Sequence, residues 1–108
     1  MYYHMGLFVL QEHAEGRSKA ENLQQILSNI QYMKENIKQI KTITAGPYQP
    51  VDGVDFPAAD LAVLVVFETE EDYKGYMSHP FHIQAAQFVV KVSVPSKVAG
   101  ITYRDVLS

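Results

Sequence analysis

Cysteine is absent from the chain. That excludes disulfides, thiolate nucleophiles and Cys-ligated zinc, and it suits a reducing compartment. Positive charge is sparse: 9 basic residues against 12 acidic ones leave a net charge of −3. No Lys/Arg run could follow a phosphate backbone, so nucleic acid is not an expected partner. Long apolar runs are missing too. The longest, Leu61 to Phe67, is about a third of a membrane span. The opening residues, Met1 to Leu10, lack a basic leader and a long apolar segment, and read as a strand instead of a signal peptide. A cytoplasmic protein without a membrane partner is expected. Catalytic signatures are also lacking: there is no Gly-x-Ser-x-Gly, no Gly-rich phosphate loop and no dinucleotide fingerprint. No cofactor is therefore expected.

What the sequence does contain is apolar patterning. Its 108 residues are 47% apolar, enough for one domain over residues 1–108 with a real core. Tyr2 to Leu10, rich in aromatic and branched residues, reads as a first strand, ended by the polar stretch Gln11 to Arg17. Ser18 as N-cap and Glu21 three residues on form a capping-box pattern. A helix follows to about Ile37, with Leu23, Ile26, Leu27, Ile30, Met33 and Ile37 on one face. Ile40 to Ala45 alternates as a second strand, and Gly46-Pro47 is expected to break it. Pro50, Gly53 and Phe56-Pro57 mark residues 48–59 as a surface loop. Leu61 to Glu68 is a third strand. Thr69 caps a short acidic-started helix that stops before Pro80. Pro80 opens a last helix, expected to end at Pro95-Ser96, with Val98 to Arg104 as the fourth strand.

This β-α-β-loop-β-α-α-β order is that of an α+β, ferredoxin-like fold: a four-stranded antiparallel sheet with helices on one face. Strand three is apolar on both sides, with Leu61, Val63, Val65 and Phe67 on one and Ala62, Leu64 and Val66 on the other. Strand one likewise has Tyr3, Met5, Leu7 and Val9 opposite Tyr2, His4, Gly6, Phe8 and Leu10. Helices cover one face only. Leaving the other in water is unfavourable by about 25 cal/mol per Å², so a two-fold homodimer joined through the outer face of the sheet is expected. The plainer alternative is a central strand that is hydrophobic merely because it is central.

Four histidines are the candidates for chemistry. His13 sits at a strand end and reads as solvated. His4, inside an apolar strand, is either a hydrogen-bonded core residue or part of a site. His79-Pro80-Phe81-His82 lies at a helix junction. There His82 falls in the first turn of the last helix, where the dipole favours a neutral imidazole able to act as a base. The structural alternative is that His79 caps the junction and His82 pins the helix to the sheet. Tyr76 lies one turn before His79 and could join them as an acid–base partner, or simply pack. The histidine spacing is not a recognised ligand set, so no metal is expected.

Residues His4 to Leu10, Asp60 to Glu68 and Asp72 to His82 resemble the stress-responsive A/B barrel (Dabb) family. Its pattern is a strand with a leading histidine, followed by an acidic-aromatic helix ending in Tyr-x-x-His-Pro-x-His. Here that ending is Tyr76-Met77-Ser78-His79-Pro80-Phe81-His82. The resemblance covers nearly the whole chain and implies a ferredoxin-like protomer in a dimeric α+β barrel. Most members have no known activity and some are linked to stress responses. A plant polyketide cyclase of the family closes a linear tetraketide by aldol chemistry. The resemblance puts its histidine at His82, its tyrosine at Tyr76 and its strand histidine at His4. A further pocket histidine of that enzyme falls at Leu61 here, Tyr3 replaces the family's usual basic residue, and residues 83–90 lack the usual charged run. The expectation is a homodimer binding a small apolar or aromatic molecule between sheet and helices, in a pocket lined by His4, Tyr76, His79 and His82. One alternative is a cofactor-independent cyclase-like or isomerase-like enzyme with His82 as base and Tyr76 as orienting donor. Another is a structural dimer with no ligand.

Overall fold

Branched and aromatic side chains favour the extended backbone, and the crowded stretch Tyr2–Leu10 forms strand β1. The computed structural model describes residues 1–55 and 58–107. After β1 come β2 (His13–Ala14), β3 (Arg17–Ser18), α1 (Lys19–Asn36), β4 (Thr42–Pro47) and β5 (Leu61–Phe67), then α2 (Glu70–Met77), α3 (Pro80–Val92) and β6 (Ser93–Tyr103). β1, β4, β5 and β6 form one antiparallel sheet in the order β4-β5-β1-β6. The helices pack on one face of it, giving the ferredoxin-like α+β architecture.

Caps set the helix starts. Ser18 Oγ accepts the Glu21 N–H at 3.2 Å while Glu21 Oε1 accepts the Ser18 N–H at 3.0 Å, completing the capping box. Thr69 Oγ1 accepts the Asp72 N–H at 3.1 Å and starts α2. α1 buries Ile26, Ile30 and Met33 against the sheet. The core joins these to Leu61, Val65 and Phe67 of β5 and to Ala85, Val89 and Val92 of α3.

Three boundaries differ from the sequence reading. Gly46 and Pro47 extend β4 instead of breaking it, Pro47 pairing with Leu61. β4 is an edge strand, where a missing N–H is tolerated. α3 ends at Val92, and β6 begins at Ser93 and runs through Pro95. Ser93 is buried in extended backbone, with its Oγ donating to Val89 O at 2.6 Å. Proline then forces the residue before it out of the helical region. β6 is the other edge, and its register shifts between Phe8 and Leu10. Finally, the polar stretch after β1 is a small hairpin, turned by Glu15 (φ 53°) and Gly16 (φ 74°), as a tight two-residue turn requires. Among the described residues of the loop assigned to 48–59, Val51 and Val54 form a bridge. Its Phe56 and Pro57 lie outside the described residues. No described helix is long and apolar enough to cross a membrane.

Alternation along the strands sorts side chains into cross-strand rows. Three rows face away from the helices: Tyr103–Tyr3–Val66–Thr42, Ile101–Met5–Leu64–Thr44 and Ala99–Leu7–Ala62–Gly46. None carries a charge. Tyr3 and Tyr103 stack at 5.1 Å, and Leu7, Ile101 and Tyr103 are exposed.

Candidate functional site

The helix-facing rows explain where space is left. One row reads Thr102–His4–Val65–Ile43, and the next reads Gly100–Gly6–Val63–Ala45. The second row offers two glycines and an alanine to the helices, so the sheet is hollow there. A cavity of about 110 Å³ occupies this hollow, between the sheet, α1 and α3. Gly6 and Val63 line its sheet side, Ile26, Ile30 and Met33 its α1 side, and Ala85, Ala86 and Val89 its α3 side. A Cβ added at Gly6 would stand 2.8 Å from the Phe8 ring, so glycine lets that ring, itself part of the lining, lie across β1.

Polar groups gather at the wall. His4 from β1, Tyr76 from α2 and His82 from α3 all line the cavity. The Tyr76 and His82 rings lie 4.2 Å apart and the His4 and Tyr76 rings 6.3 Å apart. Three of the four residues expected in the pocket are thus brought together across 78 positions of sequence, from His4 to His82. His79 is not: it is the N-cap of α3, where its Nδ1 accepts the Phe81 N–H at 3.1 Å. It is absent from the lining because that hydrogen bond turns its ring to the helix end. His13 is exposed on the small hairpin. Among the described residues, no group of three or more histidine, aspartate or glutamate side chains is placed to hold a metal ion.

The protonation states follow from the hydrogen bonds. His82 Nδ1 lies 3.2 Å from Met77 O. A carbonyl can only accept, so Nδ1 carries the proton and Nε2 is left as the acceptor of the neutral ring. Burial lowers the His82 pKa, with the Met77 bond opposing it and His79 adding to it. Burial lowers the His4 pKa as well, and His82 contributes to that shift. The Tyr76 hydroxyl is pushed well up, by burial first and Tyr73 second, and stays neutral. It makes no hydrogen bond among the described residues. Phe67 supports both tyrosines from below, 5.0 Å from Tyr76 and 5.6 Å from Tyr73 between ring centres.

Two contributors escaped the sequence reading. Asn29 also lines the cavity, and its Oδ1 accepts from Gln25 Nε2 at 2.9 Å. Its signal was a polar residue three after Ile26 and four before Met33, inside the apolar stripe of α1. Gly6 signalled itself only as a glycine within a strand.

These neutral histidines make stability depend on pH. In the unfolded chain each takes a proton near 6.5, while in the folded chain each does so at lower pH. Between the two the unfolded state holds more protons, so stability falls as pH drops below about 6.5 and levels out below the folded-state values. Thermal unfolding followed from about pH 7.5 to about pH 5 should show this loss. A His4→Gln, His82→Gln double variant should lose less over that range; an equal loss would place the proton uptake elsewhere.

Comparison with known proteins agrees with this architecture. The Stress responsive A/B Barrel Domain matches residues 3–99. No curated protein matches the chain. A dimeric ferredoxin-like protein of unknown function from Jannaschia sp. CCS1 is 13% identical, with TM-score 0.75 over 96% of this chain and 98% of that one. A hydroxynitrile lyase from Passiflora edulis is 14% identical, with TM-score 0.77 over 94% and 90%. A Dabb family protein with a ferredoxin-like fold from Mesorhizobium loti is 19% identical, with TM-score 0.68 over 97% and 96%. With the family match running from β1 into β6, this chain belongs to the stress-responsive A/B barrel domain family.

Proposed function

We propose that the protein is a homodimer, joined through the outer face of its sheet, that binds a small neutral aromatic molecule in the cavity between sheet and helices. The observation that carries the ligand reading is the wall of that cavity: apolar side chains on three sides, with His4, Tyr76 and His82 drawn together. The lining holds no Lys, Arg, Asp or Glu, so nothing in it offsets a charge that loses its water. At about 110 Å³ the volume is somewhat below the roughly 150 Å³ of an apolar cavity that holds benzene, which limits the ligand to about one ring. The dimer reading rests on the three uncharged rows of the outer face. The dimeric description of the Jannaschia relative supports it.

Phenol and benzoate, alike in shape and different in charge, test the ligand reading. Titrated at neutral pH and followed by NMR, phenol is expected to shift the ring signals of His4, Tyr76 and His82 saturably. Benzoate should bind at least about tenfold more weakly, a difference of about 1.4 kcal/mol. Shifts scattered over the surface, or equal binding of the two, would overturn it.

A second reading is favoured by one contact, the 4.2 Å approach of the Tyr76 and His82 rings. A neutral imidazole with a bare Nε2 beside a neutral phenol is a base–donor pair for cofactor-independent enolisation. The imidazole would take an α-proton while Tyr76 donates to the carbonyl oxygen. Deuterium exchange into the methyl group of acetophenone in heavy water reads this reaction, and the His82→Ala variant should lose the exchange. Exchange undiminished by that substitution would leave binding as the sole role.

A further inference from the structure

His4 Nδ1 lies 2.7 Å from Thr102 Oγ1, and Thr102 Oγ1 lies 3.0 Å from the Tyr73 hydroxyl oxygen. These two partners come from different elements. Thr102 is on the edge strand β6, 98 positions from His4, and Tyr73 is on α2 with its ring 5.5 Å from that of His4. Thr102 also lies beyond residues 3–99, the stretch that the family match covers. A hydroxyl has one proton. A Thr102 that gives its proton to Tyr73 can only accept from His4, whereas a Thr102 that accepts from Tyr73 would donate to His4 Nδ1; the two arrangements put the His4 proton on opposite ring nitrogens.

We propose that Thr102, backed by Tyr73, is a positioning residue that holds His4 with its proton on Nδ1, so that the cavity offers a ligand hydroxyl two imidazole Nε2 acceptors instead of one. The second acceptor is His82, whose proton is held on Nδ1 by Met77 O. Two rings from β1 and α3 are thus locked in the same tautomer by unrelated partners, one a side-chain hydroxyl and one a backbone carbonyl. Both bare nitrogens belong to residues that line the same cavity. A ligand hydroxyl can give its proton to either ring and accept from Tyr76, whose own hydroxyl is otherwise unpartnered among the described residues. This deepens the binding reading above and rests on it for the ligand, but the tautomer itself does not.

The tautomer can be read without any ligand. Long-range ¹⁵N–¹H NMR distinguishes a protonated imidazole nitrogen from a bare one, and it is applied to wild type, Thr102→Val and Thr102→Ser. Wild type and Thr102→Ser should show His4 protonated on Nδ1. Thr102→Val, close to isosteric but without the hydroxyl, should show a mixture or the Nε2-protonated form. Phenol affinity should fall about tenfold in Thr102→Val and be restored in Thr102→Ser, as the loss of one oriented hydrogen bond implies. A wild-type His4 protonated on Nε2, or a Thr102→Val spectrum identical to wild type, overturns the proposal. If the tautomers behave as expected and phenol binds no variant, Thr102 keeps its positioning role and the phenolic ligand is the part that fails.

Discussion

Leu64→Glu is expected to leave the protein as a monomer of 12.2 kDa, and the wild type is expected to sediment at twice that mass. Leu64 stands in the middle row of the outer face, between Met5 and Thr44, and its side chain points away from the helix-covered core. A two-fold axis through this face would place two such glutamates in one dry interface. An uncompensated buried charge costs about 3–5 kcal/mol, so the dimer should weaken by three orders of magnitude or more. The protomer should keep its fold, because the helix-facing rows are untouched; circular dichroism provides that control. Sedimentation at micromolar protein decides the matter. A dimer that survives the charge would move the interface to another face, and a monomeric wild type would remove it.

Phe67→Ala should be the most damaging single truncation in the core. Phe67 is 0% exposed and is the shared support of Tyr73 and Tyr76. Removing its ring deletes the burial of a large side chain and leaves a cavity that the surrounding β5 and α2 cannot close, a cost of about 3–5 kcal/mol. That is a large part of the roughly 5–15 kcal/mol that holds a domain folded, and it should lower Tm by about 15 °C or more. Urea unfolding at neutral pH measures it. The functional consequence is separable. In the variant that is still folded, Tyr76 loses the surface it leans on, so phenol binding should weaken even at temperatures where the fold persists. Phe67→Leu, which keeps most of the volume, should be milder on both counts. A Phe67→Ala protein as stable as wild type would contradict the packing described for this corner of the core.

Local regularities made much of this protein legible before its structure. The period of Leu23, Ile26, Leu27, Ile30 and Met33 placed α1, and Ser18 with Glu21 placed its start, because a capping box needs only a spacing of three. β1 and β5 stood out through their branched and aromatic side chains. The two-sided apolarity of Leu61 to Phe67 already marked an outer face without charge. Such signals survive in a sequence because they depend on neighbours a few residues away.

The site depended on register, which no local signal carries. His4 meets Thr102 because β1 and β6 pair at that offset, and it approaches Tyr76 and His82 because α2 and α3 cross above the same row. A slip of one residue in β1 would turn His4 to the outer face. The hollow itself arises because Gly6 pairs with Gly100, two residues whose absence of side chains means nothing until they are neighbours. His79 shows the reverse. Its place in the His-Pro-Phe-His motif suggested the pocket, yet a backbone N–H two residues away claimed its ring. The sequence alone determined the elements, their order and their apolar faces, because those follow from short-range periodicity. Only tertiary pairing decided which polar groups share a cavity and where each proton sits, because hydrogen-bond partners far apart in the chain become neighbours only when the strands are in register.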